Sequence, residues 1–249
     1  MISLIRLLKE VQEQPKAILM AGPAGAGKSY TLNQLGLQNF TTINVDDDFE
    51  ALLQKELGKS DFASMSPEEL STAAKMMGKA RATTREKELL ATTNLNNIVV
   101  DGTGASYKVV AKKKEELEKM GYQVFMLLIY VSPMTSLKRN AERGRSLPTS
   151  AVLKSWGSVV NNIGAYKQLF GNNIAIINND PSDVDKSFNP EEIQKLFPMP
   201  KGREKTPEEI VKIKAEREAT NKQIQSLLQQ EPEFDTLDTA KAKVNEFVS

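Results

Sequence analysis

The sequence predicts an α/β protein: a mostly parallel five-stranded sheet with helices on both faces, followed by a C-terminal helical extension. Three observations predict it. Short apolar runs alternate with helix-period segments, the pattern of βαβ units. A glycine-rich turn joins the first run to the first helix. After Asn178 the chain turns through Asn179-Asp180-Pro181-Ser182, and between Pro198 and Arg203 it is rich in Pro, Gly and charge before helical periodicity returns.

The elements follow in order. Strands are predicted at Ala17–Ala21, Thr41–Val45, Ile98–Asp101, Val124–Val131 and Ile174–Asn178, most of them compact apolar runs suited to a parallel sheet covered by helices. Helices are predicted to start at Gly27, Pro67, Tyr107, Met134 and Pro148. The second of these, running to about Asn94, opens with Ser66-Pro67-Glu68-Glu69: an N-cap, a proline at the first position and acids in the first turn. Thr206-Pro207-Glu208-Glu209 repeats that chemistry, and Ile210, Ile213, Ile224, Leu227 and Leu228 mark an apolar stripe, followed by a short helix near Thr239–Val248. The boundary is placed at Pro198, with 1–197 as the main domain and 198–249 as the extension.

Composition narrows the chemistry. The 249 residues include 40% apolar side chains, enough for one full core and an appendage. Thirty-three Lys and Arg against 32 Asp and Glu leave a net charge of +1, so no global field draws the chain to nucleic acid or membrane. There is no Cys and no His, which removes disulfides, thiolate chemistry and the commonest general base. Acid–base work falls to carboxylates or Lys. The stretch Met1 to Lys9 is too short and too broken by Arg6 for a signal peptide, and a cytoplasmic protein is expected.

Gly22-Pro23-Ala24-Gly25-Ala26-Gly27-Lys28-Ser29 fits G-x-x-x-x-G-K-[ST], between a predicted strand and a predicted helix. This is a P-loop, and the fold expected is that of P-loop NTPases. Backbone amides freed of Cβ obstruction surround a phosphate, Lys28 reaches the β and γ phosphates, and the Ser29 hydroxyl ligates Mg²⁺. ATP is the expected nucleotide, with Tyr30 and Arg145 completing the residues around it.

Three further segments discriminate among P-loop proteins. Asn44-Val45-Asp46-Asp47-Asp48-Phe49 ends the second strand, where open α/β sheets bind ligands; a carboxylate there suits a general base, and equally a solvated helix cap. Asn97-Ile98-Val99-Val100-Asp101-Gly102-Thr103-Gly104 places Asp101 where an acid holds Mg²⁺ and Thr103 toward the cleft; an ordinary Asp-Gly turn reads the same way. In Lys138-Arg139-Asn140-Ala141-Glu142-Arg143-Gly144-Arg145, Arg139 and Arg143 are four apart and share a helical face, with Gly144 as the break of a closing lid. A solvated basic face is the alternative.

With these segments the chain resembles the P-loop kinases of the polynucleotide-kinase and zeta-toxin group, many of them encoded by bacteriophages or plasmids. The resemblance covers about residues 15 to 180. It implies Asp47, two residues before the aromatic Phe49, as general base, and Arg139 and Arg143 as an arginine lid. In the zeta-toxin reading Thr103 contacts a nucleotide sugar; in the polynucleotide-kinase reading the acceptor is a 5′-hydroxyl end. The chain lacks the second, phosphatase domain of the latter, and Glu50 stands where a basic residue is expected. Lys75, Lys79, Arg81, Arg85 and Lys87 on the long helix are expected near the acceptor's own phosphate, with Arg81 and Arg85 as substrate-binding residues. The only nearby aromatics are Phe49 and Phe62, few for stacking a single strand. A second reading is a non-catalytic nucleotide-binding module whose C-terminal stripe docks a partner.

Overall fold

The computed structural model describes residues 14–59, 65–143, 147–182, 206–230 and 232–249. The predicted boundary at Pro198, the Met1–Lys9 stretch, Phe62, Gly144 and Arg145 lie outside them. In chain order the elements are β1 (Lys16–Ala21), α1 (Lys28–Gln34), β2 (Thr41–Ile43), α2 (Val45–Leu57), α3 (Pro67–Thr93), β3 (Ile98–Asp101), α4 (Tyr107–Lys119), β4 (Gln123–Tyr130), α5 (Pro133–Ala141), α6 (Thr149–Asn161), α7 (Ile163–Phe170), β5 (Ile174–Asn178), α8 (Pro207–Leu228) and α9 (Leu237–Val248).

All five strands run parallel in the order β2-β3-β1-β4-β5. Leu19 of β1 lies beside Val100 of β3 and Met126 of β4. From β1 the chain turns toward β2, and from β4 it turns toward β5. The neighbouring strands β1 and β4 therefore feed opposite sides, and their diverging loops open a crevice at the carboxyl edge.

Alternation along β1 splits the core between two faces. Ala17, Leu19 and Ala21 pack with residues of α4, α6 and α7, while Ile18 and Met20 pack with α1 and α9. A third cluster holds the α2–α3 hairpin together through Phe49, Leu53, Met65, Ala73, Met76 and Ala80. The capping box at Ser66 is formed: the Glu69 amide donates to the Ser66 hydroxyl, and the Ser66 amide donates to the Glu69 carboxylate.

The sequence-based bounds differ at the carboxyl edge. β2 stops at Ile43, not Val45, because the Asn44 side chain accepts the Asp46 amide at 2.9 Å and starts α2 at once. The acidic triplet is therefore the first turn of a helix. Ser132 likewise caps α5, which begins at Pro133, one residue ahead of the predicted start.

The C-terminal stripe has a core. Ile224 of α8 is fully buried in the cluster that includes α6, and Phe247 of α9 packs on Phe125 with centroids 5.1 Å apart. Between the two helices, the Asp235 amide donates to Ile176 O at 2.7 Å and its carboxylate accepts the Ile176 amide at 2.9 Å, extending the β5 edge. α8 packs back on the main domain through its C-terminal half, and the alternative of a stripe left over for a partner is not met there; Ile210 and Val211 remain exposed. Among the described residues no helix is long and apolar enough to cross a membrane.

Candidate active site

The glycine-rich turn closes over the carboxyl end of β1. Gly25 and Gly27 take φ of 75° and 81°, left-handed values that a side chain resists, and a Cβ on Gly27 would stand 2.5 Å from Asn179 Nδ2. The loop's carbonyls are held from outside. Ser136 Oγ donates to Ala24 O at 2.6 Å, Arg139 to Gly25 O at 3.2 Å, and Asn179 Nδ2 to Ala26 O at 2.8 Å. Pro23 O accepts the Ala26 amide, and the Gly22 amide donates to Thr103 O at 3.0 Å. With carbonyls tied outward, the first-turn amides of Lys28 and Ser29 have no intrahelical acceptor and are open to an anion at the helix N-terminus.

Lys28 stretches back across the loop, its Nζ 3.4 Å from Gly22 O and 3.7 Å from the Asp101 carboxylate. The second distance is an ion pair, beyond hydrogen-bond range. Asp101 is reached through sheet register, opposite Met20 on the neighbouring strand. Its Oδ2 accepts from Asn44 Nδ2 at 3.2 Å, and its buried Oδ1 has no hydrogen-bond partner. Burial pushes this carboxyl above its ordinary value; Lys28 pulls it down, while Asp47 and Asp46 push it up again.

Asp47 sits on the first turn of α2, on the exposed side. Loss of water around the carboxyl raises its pKa first of all, the Asn44 side chain lowers it, and the charges of Asp46, Asp48 and Glu50 raise it further. Asn44 thus touches three parts of the site: it caps α2, hydrogen-bonds Asp101 and moderates Asp47.

Thr103 is exposed beside the P-loop, its own loop braced from below. Tyr166 OH donates to Gly104 O at 2.6 Å, and Asn162 Nδ2 to Ala105 O at 3.1 Å. Burial pushes the Tyr166 phenol up to about 12, so it stays a donor at neutral pH.

The arginines divide. Arg139 is engaged with backbone, donating to Gly25 O and to Asn179 O at 3.0 Å, so it clamps the P-loop to the end of β5. Arg143 does not share its helical face. α5 ends at Ala141 because Asn140 folds its side chain onto Leu147, donating to Leu147 O at 2.9 Å and accepting the Leu147 amide at 3.0 Å. Arg143 stands exposed past that end. Tyr30 is also exposed, its hydroxyl accepting from Gln34.

The basic residues of α3 do not form one patch. The buried side of this helix is Ala73, Met76, Ala80 and Thr84. Measured from Ala80, Arg81 and Arg85 lie about 100° and 140° to one side, and Lys75 and Lys79 about as far to the other. Lys87 lies close to the inner side of α3 and, though exposed, pairs with Asp48. On the arginine flank Glu88 pairs with Lys113 of α4 at 2.7 Å. Both helices run toward the amino edge of the sheet, so Arg81 and Arg85 stand one to two turns nearer the carboxyl edge than this pair. Lys75 and Lys79 face away from α4.

Asn44, Asp48, Ser136, Asn162, Tyr166 and Asn179 escaped sequence reasoning. For Asn44 a signal existed, since Asn before an acidic turn is a helix cap. For the others the partner lies 36 or more residues away.

A family model described as Zeta toxin matches residues 5–180. The chain belongs to the zeta-toxin family. As a zeta-toxin family protein it is a P-loop kinase, a phosphotransferase. Among solved structures, the PezAT chromosomal toxin–antitoxin system of Streptococcus pneumoniae aligns at 22% identity over 90% of this zeta-toxin chain and 92% of that one, with a TM-score of 0.49. The AvrRxo1-ORF1:-ORF2 complex with ATP aligns at 14% identity over 96% and 83%, with a TM-score of 0.54, a likeness of fold. The Pnkp1/Rnl/Hen1 RNA repair complex aligns at 20% identity over 64% and 48%, with a TM-score of 0.44. No curated protein matches the sequence.

Proposed function

We propose that this zeta-toxin family kinase uses ATP to phosphorylate a hydroxyl on an acceptor that already bears phosphate, a nucleotide sugar in preference to a nucleic-acid end. The observation that carries the reading is the convergence of Lys28, Asp101 and the Asp47 turn, linked through Asn44, at the mouth of the P-loop.

Asp47 accepts the acceptor's hydroxyl proton as that oxygen bonds to the γ phosphorus and the bond to the β–γ bridging oxygen breaks, releasing ADP. Lys28 and Arg143 stabilise charge on the transferring group, and Arg139 holds the P-loop in register. Ser29 and Asp101 suit Mg²⁺: their oxygens are hard donors, and Asp101 Oδ1 accepts no hydrogen bond, its nearest cation being Lys28 Nζ at 3.7 Å. Among the described residues no group of three acids gathers to hold a metal by protein ligands alone. When bound, Mg²⁺ neutralises phosphate charge.

The acceptor assignment rests on two features. Arg81 and Arg85 lie on the flank of α3 that faces α4, the flank carrying the Glu88–Lys113 pair, an arrangement suited to a phosphate held beside the accepting hydroxyl. Phe49 is 3% exposed, buried in the α2–α3 hairpin, so it offers no stacking surface to a single strand. Transfer of labelled γ-phosphate to UDP-sugars, 5′-hydroxyl oligonucleotides and nucleosides tests this. Labelling of UDP-sugars, lost in Asp47→Asn, is expected. Efficient, salt-sensitive labelling of oligonucleotides would transfer the assignment to the polynucleotide reading.

A further inference from the structure

The acidic turn contains a carboxylate that the chemistry above does not use. Asp48 is 6% exposed although Asp47 beside it is open. Its Oδ2 accepts from Thr84 Oγ1 at 2.5 Å, and its Oδ1 is paired with Lys87 Nζ, both partners on α3. The Thr84 hydroxyl also lies 2.9 Å from Ala80 O; it has one proton, and the carboxylate is the stronger acceptor. Burial pushes the Asp48 carboxyl up, but the bonds from Lys87 and Thr84 outweigh it and hold the group below its ordinary value.

Such a group is a poor way to gain stability alone. Well-packed apolar side chains of similar volume fasten two helices as well as a buried ion pair, or better. Phe49, Leu53, Met76 and Ala80 already do so a turn away. What directed bonds to a carboxylate add is a single permitted rotation of α2 about its axis. Successive helical side chains diverge by about 100°, so turning Asp48 into α3 directs Asp47 away from it. That side holds Asp101, which Asn44 of the same turn hydrogen-bonds.

We propose that Asp48, held by Thr84 and Lys87, is a positioning residue that sets the rotation of α2 and with it the aim of Asp47 at the acceptor hydroxyl. The inference rests on Asp47 being the base. Steady-state kinetics of the full chain test it, with Thr84→Val, Thr84→Ser, Asp48→Asn and Lys87→Met assayed below their melting temperatures beside Asp47→Asn. Misplacement of a reacting group by about 1 Å costs up to about 100-fold, so Thr84→Val and Asp48→Asn are expected to lower kcat roughly 10- to 100-fold. The KM for ATP should not change, Lys87→Met should lose less, and Thr84→Ser, which restores the hydroxyl, should recover the parental kcat. Parental kcat in both Thr84→Val and Asp48→Asn, with Asp47→Asn inactive, would overturn the lock alone. A Thr84→Ser as impaired as Thr84→Val would also overturn it. Parental transfer by Asp47→Asn would instead remove the base assignment beneath it.

Discussion

Lys28 Nζ lies 3.7 Å from the Asp101 carboxylate, joining the P-loop to the end of β3 by an ion pair in a mostly buried setting. In the proposed mechanism the pair sets phosphate contact and metal contact beside each other, around one cation and one anion. It also makes the two residues separable by experiment, since each leaves a different group uncompensated.

Replacement of Lys28 by Met keeps the length of the side chain and removes its charge. Loss of a preorganised cation at a transferring phosphoryl group costs about 10²–10³ in rate, and that loss is expected here with the fold retained. Turnover of ATP with acceptor, compared with a circular-dichroism melt, checks it. An unchanged rate would contradict the phosphate role of Lys28.

Asp101→Asn is expected to raise thermal stability while lowering activity. Burial raises the folded-state pKa of Asp101, so its ionised form is less favoured in the fold than in the unfolded chain. The cost is absent below the unfolded pKa and fully present above the folded one, hence present at neutral pH. Removing it should raise Tm by about 2–4 °C per kcal/mol for a chain of this size. Scanning calorimetry at neutral pH shows the sign.

The pH profile should report Asp47. Its folded pKa is raised above the ordinary 3.8, and a general base acts when deprotonated, so kcat/KM should climb with pH through a limb lying above that value. Glu50→Gln removes one of the like charges raising it and should move the limb to lower pH. Asn44→Ala removes the bond that lowers it and should move the limb to higher pH.

Arg81→Ala combined with Arg85→Ala should raise the acceptor KM by about tenfold or more, the worth of one or two charge-assisted contacts, and leave the KM for ATP unchanged. Lys75→Ala with Lys79→Ala, on the far flank of the same helix, should change neither. Equal effects from both pairs would mean that the flank does not discriminate.

Phe247→Ala should destabilise the chain by about 3 kcal/mol, the usual cost of deleting a packed aromatic ring, without altering either KM. Urea unfolding followed by the fluorescence of Trp156 measures it. Loss of stability on this scale from the last helix would establish the C-terminal segment as part of the core.

The sequence alone determined those features whose causes are local. The P-loop, the apolar strands and the helix starts at Ser66 and Thr206 need only a few adjacent residues, because apolar patterning, left-handed glycine and capping are written locally in the chain. The carboxyl-edge placement of Asp47, Asp101 and Thr103 was legible for the same reason, each lying at or shortly after the end of a strand in a parallel sheet. Tertiary structure decided what depends on which face of an element is covered. Lys75 and Arg81 are alike in sequence and lie on opposite flanks of α3 only because Ala73, Met76 and Ala80 turn inward onto α2. Arg139, read as a lid residue, is engaged with Gly25 and Asn179, a partnership created by β5 running beside β4. Asp48 differs from Asp47 by one position and one rotation of about 100°, and long-range packing against Thr84 and Lys87 buries it while leaving its neighbour open.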